Sequence, residues 1–167
     1  TYRAMEEAYK AGKARAIGVS NFYPDRLVDL AECCEIKPAV NQVETHVFNQ
    51  QIEPQRIMEE YGTRVMSWGP FAEGKNNFFT NELLKTIGEK YGKSVAQVAL
   101  RYLIQRDVIV IPKSTHKERM IENMDVFDFS LSEEDMQAIV TLDQKKSLFL
   151  SHNDPEMVKW LINLVKK

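Results

Sequence analysis

The chain has 167 residues, of which 44% are hydrophobic and 28% charged, the balance of an ordinary globular domain with enough apolar side chains for a core. Its formal net charge of -2 gives no support for a nucleic-acid partner, although a local basic pocket can still hold a phosphorylated small molecule. The sequence contains no apolar run of membrane-spanning length and no signal peptide, so we expect a cytoplasmic protein without a membrane partner.

Two further features concern the cellular setting and the start of the chain. Cys33 and Cys34 are adjacent, so they cannot link distant segments, and their spacing matches no zinc or redox motif. We therefore expect a reducing compartment and no metal site. The chain opens on Thr1 and enters a helical pattern at Tyr2 without a preceding cap, which leads us to expect a fragment of a longer protein.

The first half of the chain contains three apolar runs, which predict strands at 16–19, 39–43 and 64–68. Segments of helical period follow the first two runs, at 24–35 and 53–61, and the first of these helices begins at Pro24, whose fixed φ suits an initial turn. The third strand leads into a loop rich in Gly and Asn that reaches to about Phe79. Loops of this length usually serve a function.

The second half predicts helices at 81–91 and 94–105, and Ser94 and Gln97 have the spacing of a capping box. The fourth apolar run, 108–111, ends at Pro112 and predicts a strand buried on both faces. Three helices are predicted after it, at 117–123, 132–141 and 156–165, the second with a capping box completed by Asp135. This alternation predicts an α/β fold with a parallel sheet, and it fits a doubly wound sheet and a barrel equally well.

Polar or aromatic residues follow all four predicted strands, where ligands bind in parallel α/β folds. These positions are Ser20-Asn21, Asn41-Gln42 with Glu44, Trp68-Gly69-Pro70, and Lys113-Ser114-Thr115. Each group has an ordinary structural explanation, because Ser and Asn cap helices, a strand Gln can be a satisfied amide, and most Trp side chains serve packing. Their coincidence at four successive strand ends instead indicates a binding site.

The first three groups have the chemistry to orient a flat heterocycle. Trp68 offers an aromatic face for stacking, and the polar groups of Ser20, Asn21 and Gln42 can hydrogen-bond a carboxamide. Hydride transfer from a nicotinamide requires such orientation.

The last group suits a terminal monophosphate. Lys113, Ser114, Thr115 and Arg119 place two cations and two hydroxyls beside the start of a predicted helix. The sequence contains neither a dinucleotide-binding glycine fingerprint nor a P-loop, so a nucleotide must be bound in another way.

Four stretches of the sequence resemble the aldo-keto reductase family. Residues 12–22 read GKARAIGVSNF, residues 41–44 read NQVE, and residues 111–114 read IPKS, followed by Arg119 and by Glu122-Asn123. Residues 67–75 read SWGPFAEGK and are most similar to the bacterial 2,5-diketo-gluconate reductase branch. The similarity covers essentially the whole chain. It implies strands five to eight of a (β/α)8 TIM barrel plus C-terminal helices, as one partial barrel over residues 1–167.

The resemblance implies NADPH-dependent reduction of aldehyde and ketone carbonyls to alcohols, with NADP(H) as cofactor. The implied cofactor residues are Ser20, Asn21 and Gln42 for the carboxamide, Trp68 for the nicotinamide ring, Gly69, Pro70 and Phe71 for the pyrophosphate, Lys113, Ser114, Thr115 and Arg119 for the 2′-phosphate, and Glu122 and Asn123 for the adenine. The substrate pocket is implied to draw on residues 149–153. Phe71-Ala72 departs from the family's Leu-Gly, and His46-Val47 departs from its His-Pro.

No catalytic residue is assigned, because the family's Asp, Tyr, Lys and His belong to the first four strands and are expected upstream of Thr1. We expect His46, His116 and His152 to lie in loop or surface settings, and we expect the tyrosines Tyr2, Tyr9 and Tyr23 to pack helices.

The resemblance also implies how the chain behaves alone. The parent protein is expected to be a monomer, whereas an isolated half with two unpaired strand edges is expected to be inactive and to self-associate. The alternative is a non-catalytic NADP(H)-binding or redox-sensing module.

Overall fold

The computed structural model describes residues 1–151 and 153–166, so His152 lies outside the described residues. In chain order the elements are α1 (Tyr2–Lys10), β1 (Gly18–Ser20), α2 (Pro24–Cys33), β2 (Val40–Glu44), α3 (Ile52–Glu60), β3 (Arg64–Trp68), a 3₁₀ segment (Ala72–Thr80), α4 (Glu82–Tyr91), α5 (Val95–Gln105), β4 (Ile109–Val110), α6 (Lys117–Met124), α7 (Glu133–Val140) and α8 (Pro155–Val165). None of these helices is long and apolar enough to cross a bilayer.

The four strands form one parallel sheet in the order β1-β2-β3-β4. Ser20 is in register with Gln42, and Glu44 is in register with Trp68. The predicted α/β class with a parallel sheet is therefore confirmed. Because all four strands point the same way, their carboxyl ends lie along one edge of the sheet.

The two faces of the sheet carry different side chains, since successive residues of a strand point to opposite sides. Val43 and Val65 lie on one face and pack into the core with side chains from the helices, among them Leu27, Met58, Ile87 and Leu103. Ser20, Gln42 and Trp68 lie on the other face. The core therefore supports the sheet from one side, and these three predicted site residues lie on the other.

Two details of the predicted elements were wrong. Residues 108–111 do not form a strand buried on both faces. Strand β4 contains only Ile109 and Val110, which are both half-buried, and Ile111 is 45% exposed. Helix α2 ends at Cys33 and not near Glu35, because the Glu6 carboxylate accepts hydrogen bonds from the N–H groups of Glu35 and Ile36. Those amides are thereby removed from the helical ladder.

The helix starts follow the predicted capping residues closely. Pro24 is at the first turn of α2, and the reciprocal hydrogen bonds of the Ser94/Gln97 capping box are both present. At α7 only half of the predicted box forms. The Ser132 side chain accepts from the Asp135 N–H, but the Ser132 N–H donates to the Tyr91 hydroxyl and not to the Asp135 carboxylate.

The segment after β3 is more ordered than the loop that the sequence predicts. Its 3₁₀ turns contain residues in the left-handed region, including Glu73, Asn76 and Asn77. Phe78 is fully buried and holds the segment against Phe48, with the ring centroids 6.1 Å apart.

Candidate functional site

Three predicted carboxamide-binding residues meet at the ends of β1 and β2. The Ser20 hydroxyl donates to the Gln42 carbonyl at 3.0 Å, and the Asn21 N–H donates to the same oxygen at 2.9 Å. The Gln42 side-chain amide donates to the Met66 sulfur at 3.1 Å. A thioether is a weak acceptor, so this amide can exchange it for a stronger partner.

Trp68 stands beside this cluster and is fixed by two neighbours. Its indole N–H donates to Asn21 Oδ1 at 2.9 Å. The Phe149 ring lies edge-on to the indole, with centroids 5.2 Å apart and the planes inclined by 64°. The following residue, Gly69, has a φ of +64°, a conformation that suits glycine, and this turns the chain sharply after the strand.

A cavity of about 820 Å³ opens at these strand ends. Asn21 and Trp68 line it from the sheet, and Lys145, Phe149 and Met157 line it from the C-terminal part of the chain. Phe149 and Asn153, which bound the predicted substrate-pocket segment, both contribute to the wall. The cavity therefore brings the predicted ring-binding residues and that segment together.

A buried carboxylate anchors the C-terminal part of the chain to the sheet. Glu44 accepts hydrogen bonds from the Leu148 N–H at 2.8 Å, from His46 Nε2 at 3.0 Å and from the Ser147 hydroxyl. Burial alone raises the pKa of a carboxyl, but these three donors outweigh it and hold the pKa of Glu44 below its usual value. Glu44 thus remains ionised while almost wholly buried.

His46 lies in a loop, as expected, but not at the surface. Its side chain is fully buried. Because Nδ1 accepts from the Phe48 N–H at 3.2 Å, the ring proton sits on Nε2 and is donated to Glu44. His46 therefore has a structural role in holding Glu44. His116 is exposed, as expected.

Lys75 links the 3₁₀ segment to the C-terminal segment, residues 144–151. Its ammonium donates to the Leu148 carbonyl at 2.9 Å and lies 3.8 Å from the centre of the Phe149 ring. Asn76 adds a hydrogen bond to Gln144 at 3.3 Å. Ala72, which replaces the family's Gly, has a φ of 51°, where glycine is less strained.

A second cavity, of about 550 Å³, gathers the cationic residues. Six predicted residues line it, namely Phe71, Lys113, Ser114, Arg119, Glu122 and Asn123. Phe79 and Lys85 also line it and were not predicted. The signal for Phe79 was an aromatic pair in an otherwise polar stretch, whereas nothing in the sequence distinguished Lys85 from other helix-surface lysines.

The charges of this second cavity are suited to an anion. Neither Lys113 nor Arg119 forms an ion pair within the described part of the chain, whereas Lys93 is paired with Asp125 and Asp128 at 2.8 and 2.7 Å. The Ser114 hydroxyl accepts from the His116 N–H at 3.1 Å and so shapes the turn into α6. Two unpaired cations beside a half-buried hydroxyl can hold a phosphate group.

Some predicted residues do not reach either cavity. Ser20, Gln42, Gly69, Pro70 and Thr115 are absent from the lining of both. Gly69 and Pro70 nevertheless join Trp68 of the first cavity to Phe71 of the second along the chain. The two cavities thus lie at opposite ends of the short stretch from Trp68 to Phe71.

Comparison with known proteins gives the class of the protein. The sequence profile of the Aldo/keto reductase family matches residues 1–144. The glyoxal reductase of Bacillus subtilis (strain 168) is 48% identical over 144 residues, which cover 86% of this chain and 51% of that protein. The chain belongs to the aldo/keto reductase family.

Solved structures agree with this assignment. An aldo-keto reductase of Bombyx mori in complex with NADP matches with a TM-score of 0.83 and 34% identity, covering 91% of this chain and 52% of that one. A putative 2,5-diketo-D-gluconic acid reductase B matches with a TM-score of 0.81 and 36% identity, covering 90% and 54%. The chain thus spans about half the length of the relatives it matches.

Proposed function

We propose that this chain is the NADP(H)-binding half of an aldo-keto reductase, formed by strands five to eight of the barrel and the C-terminal helices. The intact protein reduces small aldehyde or ketone substrates to alcohols with NADPH. The observation that carries the proposal is the pair of cavities at the ends of the stretch from Trp68 to Phe71. One lies beside an oriented indole, and the other lies beside two cations that have no ion-pair partner in the described part of the chain.

At the first cavity the chain would bind and orient the nicotinamide. Asn21 and Trp68 line this cavity and would offer an amide to the carboxamide and a ring for stacking. Ser20 and Gln42 lie beside it at the strand ends, where the Ser20 hydroxyl donates to the Gln42 carbonyl, and would complete the carboxamide site. Bound NADPH would supply the hydride for reduction of a carbonyl carbon. The residues of this chain determine only where that ring lies, which is the part of the task that falls to the protein.

At the second cavity the chain would select the phosphorylated cofactor. Lys113 and Arg119, with Ser114 and Thr115, would hold the 2′-phosphate, because Arg binds phosphate as a planar fork and Lys binds it as a point charge. Glu122 and Asn123 would contact the adenine. The pyrophosphate would lie along Gly69, Pro70 and Phe71, between the two cavities.

The remaining parts of the proposal rest on family resemblance. The proton-donating catalytic residues would be supplied by the other half of the barrel, so the chain alone would be inactive. The Bombyx mori structure holds NADP, and the Bacillus subtilis relative is a glyoxal reductase, and both support NADPH-dependent reduction of a small carbonyl compound. A cytoplasmic location is part of the proposal.

The 2′-phosphate assignment is tested by Arg119→Ala. We expect NADPH to bind roughly 10- to 100-fold more weakly, since a charge-assisted hydrogen bond is lost, while NADH binding is unchanged. Binding is measured by quenching of Trp68 fluorescence in a Trp160→Phe background. Arg26→Ala, an exposed arginine that lines neither cavity, is the control. Equal weakening of NADPH and NADH by Arg119→Ala contradicts the assignment.

A further inference from the structure

Asn21 connects the end of β1 to the aromatic side chain at the end of β3. Its backbone has a φ of 56°, in the left-handed region that Asn tolerates better than most residues. Its N–H donates to the Gln42 carbonyl at 2.9 Å, and its Oδ1 accepts from the Trp68 indole at 2.9 Å. The residue is thereby held from β2 on one side and holds Trp68 on the other.

The hydrogen bond restricts the plane of the indole. An indole ring has a single polar donor, so fixing Nε1–H defines the rotation of the ring about its bond to Cβ. The edge-on contact with Phe149 is a second restraint on the same ring. Trp68 is only half-buried, so without these two restraints its ring could adopt more than one orientation.

The same hydrogen bond engages only one of the two polar groups of the Asn21 side-chain amide. An Asn side chain has one carbonyl oxygen and one NH₂ group. With Oδ1 engaged by Trp68, Nδ2 is the group that remains to donate to a carboxamide oxygen. The amide can therefore serve the indole and a ligand at the same time.

We propose that Asn21 is a positioning residue that sets the plane of Trp68 and so acts on the nicotinamide through the indole, in addition to any direct contact. This inference rests on the proposed binding of NADP(H) at the first cavity. It also gives a reason for an amide at this position, since a hydroxyl is too short to serve both partners.

The first test is a double-mutant cycle with Asn21→Gly and Trp68→Phe in the 167-residue chain. Glycine adopts positive φ freely, so Asn21→Gly keeps the backbone and removes only the side chain. We expect the NADPH dissociation constant to rise roughly tenfold with Trp68 present and about threefold in the Trp68→Phe background. Binding is followed by NADPH fluorescence, which does not depend on Trp68. Equal effects in both backgrounds overturn the inference.

The second test observes the bond directly, through the indole ¹H–¹⁵N resonance of Trp68 in a Trp160→Phe background. Asn21→Gly should shift this resonance upfield, whereas Asn21→Asp, which keeps an acceptor oxygen, should retain its position. Ser20→Ala, the matched neighbour, should weaken NADPH without moving the resonance. An unchanged resonance in Asn21→Gly overturns the inference even if NADPH binds.

Failure of the proposed function has a different outcome. If the wild-type chain does not bind NADPH, or if Trp68→Ala binds it as well as the wild type, the proposed function is wrong, and the action of Asn21 on the cofactor is wrong with it. The resonance then still decides whether Asn21 orients Trp68.

Discussion

Glu44 keeps both of its carboxylate oxygens in hydrogen bonds while only 5% of its side chain is exposed. A buried charge is costly unless hydrogen-bond donors compensate for the lost water. His46, Ser147 and Leu148 supply those donors, and two of them belong to a segment about a hundred residues further along the chain. The ionised state of Glu44 therefore stabilises the docking of that segment.

The lowered pKa of Glu44 makes this contribution dependent on pH. A carboxyl whose pKa is lower in the folded state stabilises the fold above its unfolded pKa, and this contribution is lost as pH falls through the folded value. We expect Glu44→Gln to cost about 1–3 kcal/mol at pH 7 and progressively less below about pH 4. Urea unfolding of both proteins from pH 7 to pH 3 measures the difference. A difference that does not shrink as pH falls contradicts this role.

The sequence predicts individual site residues better than the bonds between them. Asn21, Trp68 and Lys113 could be selected because each lies at the end of a predicted strand, and Arg119 because it is a second cation close to Lys113. The Asn21–Trp68 bond and the bonds from Ser147 and Leu148 to Glu44 could not be predicted, because they join residues 47 or more positions apart. The burial of His46 within its loop likewise appears only in the folded chain.

Helices α4 and α7 are joined at one buried acidic residue. Asp135 accepts hydrogen bonds from Lys90, from the Tyr91 hydroxyl at 2.7 Å and from the Ser132 hydroxyl at 3.0 Å. Burial opposes ionisation of Asp135, but these donors outweigh it and keep its pKa low. Since Lys90 is half-exposed, solvent screens the ion pair, and the hydroxyl bonds matter more.

We expect Asp135→Asn to destabilise the chain by about 1.5–3 kcal/mol, because the amide cannot accept from all three donors. Chemical denaturation at pH 7 measures the loss. Glu134→Gln, on the exposed side of the same helix, is the matched control and should change stability by less than about 0.5 kcal/mol. Similar losses in both variants are incompatible with a specific role for Asp135.

The order of helices and strands was predictable from periodicity, but several boundaries were not. The first strand was predicted at 16–19 and covers Gly18–Ser20. Gly18 lies so close to β2 that a Cβ atom would be 2.6 Å from the Val40 carbonyl, a constraint that appears only once the strands are paired. The shortness of β4 and the exposure of Ile111 are likewise not indicated by periodicity.

At the scale of the whole molecule, the described sheet has two unpaired edges, β1 and β4. Large apolar side chains are also exposed on the helices, including Met124 at 71% and Val165 at 88%. Unpaired edges and exposed apolar surface favour association between copies. We therefore propose that the 167-residue chain self-associates when it is isolated.

Sedimentation velocity tests this proposal. We expect dimers or larger species at micromolar concentration, and we expect Ile111→Lys, which places a charge beside the β4 edge, to shift the distribution toward monomer. Ile52→Lys places the same charge on α3 and should leave the distribution unchanged. A wild-type chain that sediments as a stable monomer would show that the two unpaired edges do not mediate association between copies.

The fold class was predictable from the alternation of elements, whereas the choice between a barrel and a doubly wound sheet was not. That choice came from motifs such as those at 12–22 and 111–114, which resemble a family of barrels. The alternation of strands and helices indicates only that the sheet is parallel. Four neighbouring parallel strands occur both in barrels and in doubly wound sheets.

The opposite orientation of neighbouring strand residues has a consequence for how this sheet can change over evolutionary time. Val43 and Val65 support the core, while Gln42 and Trp68, one and three positions away along the strands, face the other side. Under the proposed function, substitutions at the first pair are limited by folding and those at the second pair by cofactor binding. Residues that are close together in the sequence then meet different constraints, so the binding face of the sheet can change without redesign of the core.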